Sequence, residues 1–162
     1  MSTHALVAHV PSGSGPAYWG PGDQIRFIVT GEQTGGTFFL AEVTVPPGGG
    51  PPPHVQHREE ESFYILEGTM DFHVADRDVQ AKPGDFVLIP RGATHWFKNN
   101  SQGLVKMLCL CSPAGLENFF TECFVPAGDD MANLPAPTPE LLGRMMAAAA
   151  RAGVEIAGPP PH

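Results

Sequence analysis

Short runs of β-branched and aromatic residues recur along this chain at roughly the 8–12-residue spacing of antiparallel β proteins, and glycine or proline fills most of the gaps between them. The runs are 24–30, 37–45, 62–66, 70–75, 86–89, 94–98 and 104–111. The 162 residues include 19 glycines and 18 prolines, which end strands where a positive φ is wanted or a missing N–H does no harm. Lys82-Pro83-Gly84-Asp85 is expected as a turn and 99–103 as a loop. Glu67-Gly68-Thr69 is expected as a hairpin turn that returns 70–75 beside 62–66. The pattern predicts an all-β sandwich or barrel, not a helical bundle.

The two ends depart from this rhythm. Residues 1–24 are expected to form an N-terminal arm pinned to the barrel by Tyr18 and Trp19, with the barrel itself over 25–126. A Pro-rich linker and a C-terminal helix are expected over 127–162. Thr138 suits an N-cap, with Pro139 at the first helical position and Glu140 in the first turn. Leu141, Leu142, Met145, Met146 and Ala149 fall at helical spacing as one apolar face, and Gly153 supplies the stop.

Charge narrows the partners. The formal net charge is −8, which repels phosphate backbones and anionic membranes. No apolar run approaches the roughly 20 residues of a spanning helix, and the first residues lack a basic segment followed by an apolar one. Three cysteines, Cys109, Cys111 and Cys123, include no Cys-x-x-Cys pair. A cytoplasmic location with reduced thiols is therefore the expectation, with Cys109 and Cys111 as small core residues on one strand face.

His54, Gln56, Glu61 and His95 carry the chemistry. Alternate residues of a strand share a face, so His54 and Gln56 point together while His57 points away. Glu61 lies five residues past Gln56, so a regular strand would turn it outward. A bulge between Arg58 and Glu60 would bring it back. His95 belongs to a distant strand that a closed barrel sets alongside. Two imidazoles and a carboxylate with open positions form the ligand set of many non-haem iron sites and suit Mn, Ni, Co, Zn or Cu as well. His73 is expected to face solvent, as are Glu59 and Glu60 at the rim, where Arg58 can pair with them. His4, His9 and His162 fall in the tails.

The surroundings of these residues resemble the cupin superfamily. Gly48, His54, Glu61 and Gly68 match its first motif, and Gly84, Pro90, Gly92, His95 and Asn99 match its second in full. One position differs, because the second histidine of the first motif is Gln56 here. Four readings stand open: Gln56 is a ligand through its amide oxygen, it holds a metal-bound water or substrate, His57 takes the ligand position after a local shift, or the site no longer binds metal. The runs Gly31-Glu32-Gln33-Thr34-Gly35-Gly36, Pro51-Pro52-Pro53-His54, 58–68 and Pro113-Ala114-Gly115 further resemble small cupins of the quercetin 2,3-dioxygenase-like group, as does the helix followed by Gly158-Pro159-Pro160-Pro161.

This resemblance implies a double-stranded β-helix (jelly-roll) barrel with a C-terminal α-helix and one divalent transition metal per chain. It implies oxygen insertion into a flavonol or enol, with His54 and His95 holding the metal. Glu61 would serve as ligand and general base, and Gln56 would orient substrate or dioxygen. Strand parity suggests Phe38, Leu40, Phe63, Met70, Phe97 and Met107 as walls for a small aromatic substrate. Two alternatives accompany this reading: a non-redox isomerase, cyclase or lyase on a carbonyl substrate, and a non-catalytic small-molecule-binding barrel. A homodimer is the expected assembly.

Overall fold

The computed structural model describes residues 7–128, 132 and 134–159. Two antiparallel sheets face each other. The larger takes β1 (Ala17–Trp19), β2 (Gln24–Val29), β3 (Phe39–Val45), β5 (Glu60–Glu67), β8 (Phe86–Ile89), β10 (Val105–Ser112) and β11 (Val125–Pro126), in the order β11-β1-β2-β3-β10-β5-β8. The smaller takes β4 (His54–Gln56), β6 (Met70–Val74), β7 (Arg77–Ala81), β9 (Thr94–Lys98) and β12 (Val154–Ile156), in the order β12-β4-β9-β6-β7. Together they form the jelly-roll architecture that the sequence predicts.

The inner faces interdigitate into one core. Phe63, Phe72 and Phe97 pack mutually, with ring centroids 5.3–5.7 Å apart, between the sheets. Such tilted and edge-on contacts suit the ring quadrupole. Tyr18 packs on Phe27 at 5.0 Å and Trp19 is buried, so the N-terminal segment is pinned as expected.

Several local expectations are corrected. Glu67-Gly68-Thr69 does not turn a hairpin, because β5 and β6 lie in different sheets and the chain crosses between them there. Gly68 sits at φ 79°, and a Cβ on it would meet the Leu104 carbonyl oxygen at 2.8 Å. β6 pairs instead with β7, which the sequence did not announce: Arg77–Ala81 is exposed along all but its last residue and so shows no buried alternation. The arm expected over 1–24 contains β1, paired to β2 and β11. α1 (Gly31–Thr34), α2 (Glu117–Cys123) and β12 are further additions.

The C-terminal helix, α3 (Pro139–Ala152), has the predicted ends. Thr138 Oγ1 accepts from the Leu141 amide at 3.2 Å, and Gly153 closes the helix at φ 74°. Its buried residues are Leu141, Ala148 and Ala149, whereas Leu142 and Met146 are exposed, so the apolar face is narrower than the spacing suggested. Arg151 hydrogen-bonds Glu122, tying α3 to α2. Among the described residues no helix is long and apolar enough to cross a membrane.

Candidate metal centre

The 46–53 loop delivers β4 to its place. Gly48 donates to the Asn99 carbonyl oxygen at 2.7 Å, and the Asn99 amide returns to Gly49 at 3.0 Å. Gly50 passes so close to β9 that a Cβ would meet the Phe97 carbonyl oxygen at 2.1 Å, which excludes any side chain at that position. The Asn99 side chain is buried and donates to Val45 O and Gly103 O at 2.9 and 2.8 Å. These bonds set β4 against β9 with His54 directly opposite His95.

Glu61 comes from the facing sheet. The chain breaks its strand pairing between Gln56 and Glu60, and this break returns Glu61 to the interior, as the spacing requires. The ligand atoms of His54, Glu61 and His95 all lie within 4.8 Å of one another. Glu61 and His95 are buried, while His54 is half-buried and forms the more open side of the cluster.

Hydrogen bonds orient both rings. His54 Nδ1 lies 2.9 Å from the Pro52 carbonyl oxygen, and His95 Nδ1 lies 2.9 Å from that of Ala93. A carbonyl oxygen can only accept, so each Nδ1 donates there and each Nε2 is the nitrogen left to face the cluster. The His95 Nε2 is 3.0 Å from Glu61 Oε2. A proton on Nε2 bridges this pair in the metal-free protein, and a bound metal ion would displace it. Burial and then the nearby His95 push the His54 imidazole below its ordinary range. For Glu61, burial disfavours charge, but the hydrogen bond and charge of His95, with His54 and Cys109, outweigh it and hold the carboxyl below the usual range.

Gln56 shares the face of His54. The residue is 2% exposed and its amide lies against the Glu59 carboxyl, whose charged form it favours, yet neither Oε1 nor Nε2 completes a hydrogen bond of good geometry. A buried amide left this way costs roughly 1–3 kcal/mol, so an added ligand or water would relieve it. His57 takes the other face and engages Glu155 Oε2 at 2.9 Å, so the reading in which it serves as a ligand is corrected.

Four residues that interact with Glu61 were not legible as part of this site. Glu59, expected at a solvated rim, is buried with Oε2 unpartnered, and its pKa is raised chiefly by burial. Asp23, in the turn before β2, is raised to about 7 by burial and by the charge of Glu61. Cys109 donates to Glu61 Oε1 at 3.2 Å, with Cys111 Sγ 4.0 Å away. The first motif announced none of these, and only the inward parity of Cys109 and Cys111 hinted at them.

Most of the expected wall residues are placed inside. Phe63, Met70, Phe97 and Met107 are buried in the packed core. Phe38 and Leu40 are corrected: Phe39, Ala41, Val43 and Val45 point inward, so Phe38 and Leu40 lie on the outer side of β3. Two shallow concavities lie away from the cluster, one beside Trp96 and His73 and one beside His57 and Met146.

The family model for the cupin domain matches residues 41–111, a span that includes His54, Glu61 and His95. The chain carries a cupin domain over this span. This cupin is 32% identical over 100 residues to quercetin 2,3-dioxygenase of Bacillus subtilis (strain 168), which covers 61% of the chain but only 29% of that relative's length. Among solved structures it superposes on a predicted oxalate decarboxylase of Thermotoga maritima with TM-score 0.61 at 23% identity, over 65% of this chain and 99% of that one. The polyketide cyclase RemF of Streptomyces resistomycificus gives TM-score 0.58 at 28% identity, over 66% of this chain and 80% of that one.

Proposed function

We propose that this cupin is a metal-dependent oxidoreductase of dioxygenase type acting on a small aromatic or enolic substrate. The observation that carries the reading is the convergence of two imidazole Nε2 atoms and a buried carboxylate beside an unsatisfied Gln56 amide. His54, Glu61 and His95 would hold one divalent transition metal, and the donor set suits Fe, Mn, Ni, Co, Zn or Cu. Such an ion would supply Lewis acidity and, if redox-active, a route for electrons to dioxygen.

The chain's own residues supply the rest. Gln56 offers one donor and one acceptor to a bound hydroxyl or carbonyl group. Glu61, kept ionised, takes a hydroxyl proton as general base. The likeness to quercetin 2,3-dioxygenase supports an enol-bearing substrate, although the chain spans under a third of that relative.

A second reading rests on the missing imidazole. Gln56 leaves one fewer nitrogen donor than the family motif, and the 28% identity to a polyketide cyclase structure favours non-redox work on a carbonyl substrate. The separating experiment strips the protein, reloads it with each of the six metals, and follows metal content beside oxygen uptake on flavonols and other enols. Uptake that needs the metal and vanishes in His54→Ala supports the dioxygenase. Bound metal without uptake on any enol overturns it in favour of the second reading.

A further inference from the structure

Cys109 and Cys111 are buried on the inner face of β10, and Cys111 stands opposite Glu61 where β10 pairs with β5. Both sulfurs converge on one carboxylate oxygen. Glu61 Oε1 lies 3.2 Å from Cys109 Sγ and 3.9 Å from Cys111 Sγ, and the two sulfurs are 4.0 Å apart. The other oxygen, Oε2, faces His95. Glu61 therefore divides its two oxygens between a nitrogen side and a sulfur side.

We propose that Cys109, Cys111 and Glu61 Oε1 form a second metal site, one for a thiophilic cation such as zinc or copper(I), distinct from the imidazole side. The size of the triangle is the first support. A tetrahedral ion about 2.3 Å from sulfur and about 2.1 Å from oxygen sets two sulfurs about 3.8 Å apart and each sulfur about 3.6 Å from the oxygen. The three atoms already stand close to one face of that tetrahedron. The donor set is the second support, because paired thiolates favour soft and borderline cations over the hard ones that carboxylates alone prefer. Glu59 is the third. It is 2% exposed, its Oε2 completes no hydrogen bond of good geometry, and its charge acts on both Glu61 and Cys111. A buried carboxylate so placed is stabilised by a cation on the sulfur side of Glu61. Binding breaks the two S–H bonds and releases both protons to solvent as the metal–sulfur bonds form. The site shares only Glu61 with the imidazole cluster and does not depend on the oxidoreductase reading.

Titration of the full chain with cadmium, a softer stand-in for zinc, tests the proposal through the ultraviolet charge-transfer absorption of cadmium–thiolate bonds. Wild type, His54→Ala and Cys123→Ser are expected to develop the band to the same height. Cys109→Ser and Cys111→Ser should each lose the larger part of it, and the double variant all of it, with unchanged circular dichroism. Absence of the band in wild type overturns the proposal. So does a band that survives the double variant, or one that disappears in His54→Ala, which would make the sulfurs part of the imidazole site. Should the Cys109 and Cys111 variants misfold, X-ray absorption at the cadmium edge of loaded Cys123→Ser protein replaces them. Sulfur neighbours around cadmium are expected there, and nitrogen and oxygen neighbours alone overturn the proposal.

Discussion

His95 Nε2 lies 3.0 Å from Glu61 Oε2, while Nδ1 of the same ring is committed to the Ala93 carbonyl oxygen. The ring therefore cannot turn to present a different nitrogen without giving up a hydrogen bond inside the barrel. His54 is fixed in the same way by Pro52. Removing either imidazole should lower metal affinity by at least about 10–100-fold, the range seen even for groups that only support a ligand. Gln56→His, which supplies a further imidazole on the face of His54, should tighten binding by about tenfold or more. Metal titration with a competing chelator measures both, and a Gln56→His variant that binds no more tightly would place position 56 out of reach of the metal.

Asp23 gives the protein a pH dependence of definite sign. Its pKa is raised from 3.8 to about 7 in the folded state, so the native chain holds this proton more tightly than the unfolded one. That contribution to stability is complete below pH 3.8 and is lost as pH rises through about 7. Asp23→Asn should therefore gain on wild type as pH rises, by about 1–2 kcal/mol at pH 8 relative to pH 4 once its partial exposure is discounted. Urea denaturation of metal-free protein at the two pH values reads the difference. Equal gaps at both would remove Asp23 from the electrostatics around Glu61.

Asn99 holds together the loops that precede and follow the site strands. Its buried side chain makes two bonds to carbonyl oxygens and accepts from Ser101, and Asn99→Ala leaves those carbonyl groups unpaired. A loss of about 2–4 kcal/mol is expected. Asn99→Asp keeps the shape but offers no donor to Val45 O, and should lose a similar amount at neutral pH. Denaturation midpoints close to wild type for both variants would show that the loops are held by the backbone bonds alone.

Phe39 and Phe38 are adjacent, yet they occupy opposite sides of β3. Phe39 is fully buried against Phe27, with ring centroids 4.9 Å apart, so Phe39→Ala should cost about 3–5 kcal/mol. Phe38→Ala should cost under about 1 kcal/mol. Thermal unfolding of the pair checks the orientation of the strand, and the reverse ranking would restore the sequence-based assignment.

That assignment failed for a physical reason. The run 37–45 is apolar on both parities, because Leu40 stands on the outer face beside Leu110 while Phe39 and Ala41 line the core. Alternation marks a strand's inner side only when the outer side is polar, and here Glu42 was the one clear sign of it. His54, Glu61 and His95 were legible because they stand at the ligand positions of the two cupin motifs, with Gly48, Gly68, Gly84, Pro90 and Gly92 at the matching places. Gly68 is readable as a turn residue, but a hairpin and a crossing between sheets both call for its positive-φ backbone, and nothing local tells them apart. Glu59 and Asp23 were missed for a related reason: their burial depends on which distant strands cover them.

β4 is three residues long, and its two neighbours are β9 and β12. The strand bearing His54 and Gln56 therefore keeps an open edge until Val154–Ile156 is laid against it, close to a hundred residues later in the chain. All three ligand residues emerge during synthesis well before the strand that closes their sheet. The proposed metal capture would therefore depend on β12, and a copy interrupted in the C-terminal helix would carry every candidate ligand yet lack the strand paired to the first of them.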